Sequence, residues 1–95
     1  MALLSDAQID ERLAGAGGWR LVDGTAIERE WKLANFKEAI EFVNEVAKLA
    51  EQANHHPDIR VHGWNKVELS LSTHSQGGLT DADFQLASRI DALAS

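Results

Sequence analysis

The chain has no cysteine. That excludes a disulfide framework and any thiolate nucleophile, and it fits a reducing compartment. It also lacks any run of lysine or arginine that could hold an anionic membrane surface. The net charge of -6 and pI near 5.0 argue against nucleic acid as a direct ligand, because phosphate binding requires a basic face. No apolar run approaches membrane-spanning length. The N-terminal MALLSDAQIDERL has neither the basic region nor the long apolar stretch of a signal peptide. These absences together set the expectation of a cytoplasmic protein. What remains is an ordinary globular composition, 44% hydrophobic and 25% charged over 95 residues, which excludes extensive disorder. A chain of this length makes one domain, residues 1–95, with one core.

Local patterns give the element order. Ser5 with Gln8 reads as a capping box opening a short helix that carries Ile9 and Leu13, and Gly15 stops it. WRLVDGTAIEREW reads as a β-hairpin turning at Asp23-Gly24, with Ile27, Arg29 and Trp31 on one side. Asn35 with Glu38 caps a long helix, expected from Phe36 to Ala53, whose apolar positions are Phe36, Ala39, Ile40, Val43, Val46, Ala47 and Ala50. It must end before the only proline, Pro57, since the residue preceding a proline avoids the α region. DIRVHGW and NKVELSLSTH alternate as half-buried strands with GWN as the loop between them. Thr80 caps a last helix with Phe84, Ala87, Ile90 and Ala94 as its stripe. The order helix, two strands, long helix, two strands, helix predicts an α+β two-layer sandwich: a four-stranded antiparallel sheet with helices packed on one face. Trp19, Trp31 and Trp64 read as core or interface residues. The uncharged LSLST following Glu68 reads as a sheet edge able to pair with a second copy.

The chemistry concentrates in four histidines. His55 and His56 fall where the long helix ends, and Pro57 stiffens the exit. Glu51 lies one helical turn before His55, so those two are expected on the same side. His62 and His74 belong to the polar rows of their strands, and His74 leads into the Ser75-Gln76-Gly77-Gly78 loop. Each has an ordinary reading: a histidine at a helix C-terminus bonds free carbonyls, and one on an exposed strand row needs no task. Asp83 has one too, as the third helical residue of a capping box begun by Thr80. A metal site is the sharper alternative, since imidazoles and a carboxylate are adequate zinc ligands. Adjacent histidines diverge, however, and no HExxH pair is present. Ser70, Ser72 and Ser75 lie near His74 without a nucleophile elbow. A cluster of unmetallated imidazoles suits general acid–base work near neutrality, given an unperturbed pKa of about 6.5.

EQANHHP, WNKV and LSTHSQGGLTDAD together resemble the pattern of pterin-4a-carbinolamine dehydratases: E-x3-H-H-P, an aromatic before N-[KR]-V, then [ST]-T-H-x2-G-G-L-[ST]-x2-D. The similarity extends upstream to Trp19 and so covers most of the chain. The resemblance implies an α+β sandwich and a hydro-lyase that dehydrates 4a-hydroxytetrahydropterin to quinonoid dihydropterin, recycling the reduced pterin of aromatic amino acid hydroxylases. It implies no metal and no separate cofactor. It also implies a homodimer or homotetramer, and in some animal members a second role in stabilising a transcription-factor dimer. A non-enzymatic pterin-binding or dimerisation module on the same fold is the alternative. By the same resemblance His55, His56 and His74 are the catalytic set. His55 and His74 would be the proton-transfer pair, and His56 would mainly hold the pterin. Glu51 would orient the first histidine, and Pro57, Thr73, Ser75, Gln76 and Asp83 would complete the substrate-binding set. One departure is Gly63, an extra residue that would lengthen the hairpin loop or form a bulge.

Overall fold

Ser5 begins the first helix as expected: its hydroxyl accepts from the Gln8 backbone, and the Gln8 side chain accepts from the Ser5 N–H. The computed structural model describes residues 2–94. In chain order they form α1 (Asp6–Ala14), β1 (Arg20–Val22), β2 (Ala26–Lys32), α2 (Phe36–Ala53), β3 (Asp58–His62), β4 (Lys66–Leu71), a single 3-10 turn (His74–Gln76) and α3 (Asp81–Ala94). The four strands make one antiparallel sheet in the order β1-β2-β4-β3. This is the expected α+β architecture. The expected edge is different, however. β4, which carries Leu69-Ser70-Leu71 of that stretch, is interior and paired on both sides, and β1 and β3 are the edges. Strand order depends on which strands meet across the long α2 crossover, and local composition does not encode that.

Alternation sorts the sheet into two faces. Ile27 and Trp31 on β2, with Val67, Leu69 and Leu71 on β4, share one core with Ile9, Phe42, Val46, Phe84, Leu86 and Ile90 of the helices. The opposite row carries ion pairs instead: Arg20 reaches Glu28 at 3.0 Å and Glu68 at 3.4 Å. Each fully buried aliphatic contributes about 1.5–3 kcal/mol, whereas an exposed ion pair contributes about 0–1. Core burial therefore holds the layers together.

The imperfect alternation of β2 has a cause. Arg29 lies on the helix-facing row, where its guanidinium donates to Asp91 of α3 at 3.0 Å and to the Gly17 carbonyl at 2.9 Å. The Trp19 indole donates to the same Asp91 carboxylate at 3.0 Å. A Cβ on Gly18, whose φ is +93°, would sit 2.7 Å from that guanidinium carbon. Charge on this row is thus compensated by a partner on α3.

Two stripes differ from expectation. On α2, Phe42 is buried, whereas Phe36 and Ala47 are exposed and Ile40 and Val43 half-buried. The apolar arc is wider than the sheet covers, so Phe36 and Ala47 stay outside, while Val43 packs against the core edge. On α3, Leu86 joins the core and the terminal Ala94 is exposed. Gly63 lengthens the β3–β4 loop to three residues, since His62 still pairs with Lys66. Gly63 and Trp64 both have positive φ, 55° and 60°. Asn65 then turns inward and donates to the Leu33 carbonyl at 3.0 Å. Trp19 and Trp31 are core residues, and Trp64 is exposed. Among the described residues, no helix is long and apolar enough to cross a membrane.

Candidate active site

The long helix ends in a way that separates the two adjacent histidines. Asn54 takes the left-handed conformation, φ 49° and ψ 44°, which asparagine tolerates better than most residues. The His55 N–H then bonds the Ala50 carbonyl at 3.0 Å and the Asn54 N–H bonds Glu51 at 3.2 Å, a Schellman closure. The reversal sends the His55 ring inward. Its Nε2 lies 2.5 Å from Asp83 Oδ1. His56, one residue on, points outward and its Nε2 hydrogen-bonds the Glu51 carboxylate.

Glu51 therefore pairs with His56, not with His55 as the helical spacing predicted. The i,i+4 rule holds only while helical geometry continues, and Asn54 interrupts it. Asp83 takes the place beside His55. It is fully buried, and its second oxygen accepts from Thr73 Oγ1 at 2.8 Å and from the Thr80 N–H at 2.9 Å. Thr73 Oγ1 also lies 2.8 Å from Thr80 Oγ1. The capping role foreseen for Asp83 and its contact with His55 thus belong to the two oxygens of one carboxylate. Because a carboxylate only accepts, His55 Nε2 carries the hydrogen of this bond, and in the neutral ring Nδ1 is the nitrogen with the lone pair.

Thr73 and Asp83 were both expected to touch substrate. Both side chains are buried and face each other. Thr73's carbonyl is also engaged, accepting from Gln76 at 3.0 Å and Gly77 at 3.0 Å. Neither side chain presents a free polar atom to solvent, and Asp83 joins Thr73 to His55. Pro57 is half-buried, while Ser75 and Gln76 lie exposed in the 3-10 turn that Gly77 closes with φ 73°.

His74 continues the polar row of β4 and emerges on the open side of the sheet. There it lines a cavity of about 270 Å³ with Thr25, Ala26, Asp58, Ser70, Ser72 and Gly77. The Ser72 hydroxyl donates to the Thr25 carbonyl at 2.7 Å. Asp58 was not singled out from the sequence, and Ser70 was weighed only as a nucleophile near His74. The available signal was the parity row Ser70-Ser72-His74, and Asp58 joins it only through its pairing with Ser70. His62 lies away from this end of the sheet and bonds Glu30. Among the described residues no three His, Asp or Glu side chains gather as a metal-binding group.

His55 and His74 are thus linked without direct contact. Asp83 ties the end of α2 to Thr73, and His74 is the next residue. Such an arrangement holds the His55 imidazole against Asp83 and leaves the His74 ring without a side-chain partner among the described residues.

Comparison with known proteins gives the family. The family model "Pterin 4 alpha carbinolamine dehydratase" matches residues 2–93. A Roseiflexus castenholzii protein named "Putative pterin-4-alpha-carbinolamine dehydratase" is 53% identical over 97% of both chains. A like-named Thermomicrobium roseum protein is 47% identical over the full length of both. A crystal structure described as a transcriptional coactivator/pterin dehydratase from Brucella melitensis superposes with a TM-score of 0.91 at 35% identity, covering 99% of this chain and all of the other. A pterin dehydratase-like RuBisCO assembly factor of the α-carboxysome superposes with a TM-score of 0.69 at 25% identity over 82% of this chain and 90% of its own. With three helices on a four-stranded antiparallel sheet, and a family match across nearly its whole length, this chain belongs to the pterin-4-alpha-carbinolamine dehydratase family.

Proposed function

We propose that this protein dehydrates a 4a-hydroxytetrahydropterin to the quinonoid dihydropterin. The observation that carries the reading is the buried His55–Asp83–Thr73 connection, which joins the HHP segment to the THSQGG segment at one end of the sheet. The substrate is a hemiaminal. One imidazolium donates its proton to the 4a-hydroxyl, and the C4a–O bond breaks. The lone pair of the adjacent ring nitrogen forms the C=N bond, and a second imidazole takes that nitrogen's proton. The products are water and quinonoid dihydropterin, with no net change in the protein's proton count. His55 and His74 are the proposed proton-transfer pair, and His55 acts through Nδ1, because Nε2 is held by Asp83. His56 and the exposed Ser75 and Gln76 would hold the pterin. Each positioned acid or base contributes about 10²–10⁴-fold, which suffices for a reaction that already proceeds unaided.

Stopped-flow measurement with enzymatically generated 4a-hydroxytetrahydropterin tests the reading. Dehydration well above the uncatalysed rate, undiminished by chelators, is the expected result. A rate equal to buffer alone would refute it. A second reading, a binding or assembly module on the same fold, is favoured by the RuBisCO assembly factor among its structural neighbours. The two differ in this assay. For either, the exposed edges β1 and β3 and the exposed Phe36 and Ala47 beside half-buried Ile40 on α2 support assembly into a homodimer or homotetramer. Sedimentation equilibrium at micromolar concentration would find it, and a clean monomer mass would oppose it.

A further inference from the structure

The open-face cavity holds a carboxylate that the reaction above does not use. Asp58 starts β3 and pairs in register with Ser70, so its side chain shares the solvent-facing row of Ser70, Ser72 and His74. All four line the same cavity of about 270 Å³, near the lower end of the size range for small-molecule sites. The other acidic side chains of this sheet face are occupied: Glu28 and Glu68 by Arg20, Glu68 also by Arg60, and Glu30 by His62. The Asp58 carboxylate makes no hydrogen bond or ion pair among the described residues, and neither does the Ser70 hydroxyl. An uncommitted carboxylate beside a free hydroxyl, in a cavity that also receives His74, is a recognition pair of defined chemistry.

We infer that Asp58 is a specificity residue that binds the 2-amino-4-oxo pyrimidine edge of the pterin. This rests on the dehydratase reading. That edge presents two roughly parallel donors, N3–H and the 2-amino group, followed by the 4-oxo acceptor. Two parallel donors match the two oxygens of one carboxylate, the geometry that makes a guanidinium–carboxylate pair bidentate. The Ser70 hydroxyl, next in the row, is the donor for the 4-oxo group. Anchored by this edge, the ring extends along the row towards His74, which is where a proton must be exchanged. The carboxylate selects against a 2-oxo ring, since an oxygen at that position would face it without a hydrogen between them.

The test uses the intact protein with two probes, 7,8-dihydropterin and the matching 7,8-dihydrolumazine, which carries oxygen in place of the 2-amino group. Wild-type protein is expected to prefer dihydropterin by at least about tenfold, the scale of one lost charge-assisted hydrogen bond at a partly solvated site. Asp58→Asn is expected to lose most of that preference, because its amide can donate to the 2-oxo group while still accepting from N3–H. Asp58→Ala is expected to weaken dihydropterin binding about tenfold and to raise KM rather than lower kcat. Both variants lie at an exposed position, and an unchanged far-UV spectrum and thermal midpoint verify their fold. Unchanged discrimination in Asp58→Asn, with wild-type turnover intact, overturns this inference alone. Wild-type protein that neither binds nor dehydrates a pterin overturns it together with the reading it rests on.

Discussion

His55 and His56 are chain neighbours, and each hydrogen-bonds a carboxylate, yet the two pairs live in different surroundings. The side chains of His55 and Asp83 are 12% and 0% exposed, whereas those of His56 and Glu51 are 60% and 74% exposed. A hydrogen bond to a carboxylate is stronger where water is excluded and the local dielectric is lower. The outer pair is also free to exchange with water and is screened by salt. The inner pair has further partners, since Asp83 also satisfies Thr73 and the Thr80 N–H. Sequence proximity and identical chemistry therefore do not make equivalent groups. The left-handed Asn54 separates them by turning the chain between Glu51 and His55.

The most damaging way to break the comparison is to remove Asp83. Asp83→Ala removes the acceptor that His55 Nε2, the Thr73 hydroxyl and the Thr80 N–H share at the start of α3. We expect a loss of about 3 kcal/mol in urea unfolding and of at least about 100-fold in turnover. Asp83→Asn keeps the volume, so it should recover part of the stability while leaving turnover low. A stability within about 0.5 kcal/mol of wild type for the alanine variant, the scatter of ordinary surface changes, would mean that the buried network does not hold this end of the fold.

Substituting the histidines one at a time sharpens the comparison. His55→Ala is expected to lower kcat by about 10²–10⁴-fold, the range for a positioned acid or base. His56→Ala is expected to act mainly on KM, because it removes a contact made equally in ground and transition states. Equal losses in kcat from the two variants would contradict the division of labour drawn from their burial.

Much of this division could be read before the fold was known, and the parts that could not have a common cause. The bounds of α2 follow from Asn35 as cap and from Pro57 beyond its end, both local effects, and the structure has the helix at Phe36–Ala53 as expected. The inward row of β4 follows from period-two alternation and is also local. The Glu51 partner was misassigned because one left-handed residue ends the helical geometry on which the spacing rule depends. The β4 edge was misassigned because strand order is set by which elements meet across a crossover. Asp83 could be recognised as a capping residue from three positions of sequence, but the neighbour of its other oxygen, His55, comes from the segment beyond α2. Asp58 looks like any acidic residue starting an edge strand, and only its pairing with Ser70 brings it to the cavity.

The smallest expected effect belongs to the outer pair and tests the comparison from the other side. Glu51→Gln removes a charge but keeps a group able to hydrogen-bond His56. Both side chains are mostly in water, so the pair's attraction is weak, and holding two mobile side chains together costs entropy. We expect a change in unfolding free energy within about 0.5 kcal/mol at low salt, vanishing in about 1 M NaCl, where the Debye length falls to about 3 Å. Turnover should change by less than about threefold, because the inner histidine keeps both its partner and its tautomer without Glu51. Parallel titrations of stability and rate against salt would check both statements. A collapse of kcat in Glu51→Gln comparable to that of Asp83→Asn would require Glu51 to act on His55 after all. The helix would then have to extend through Asn54 in the working enzyme, reuniting the i,i+4 pair and freeing His56 from its carboxylate.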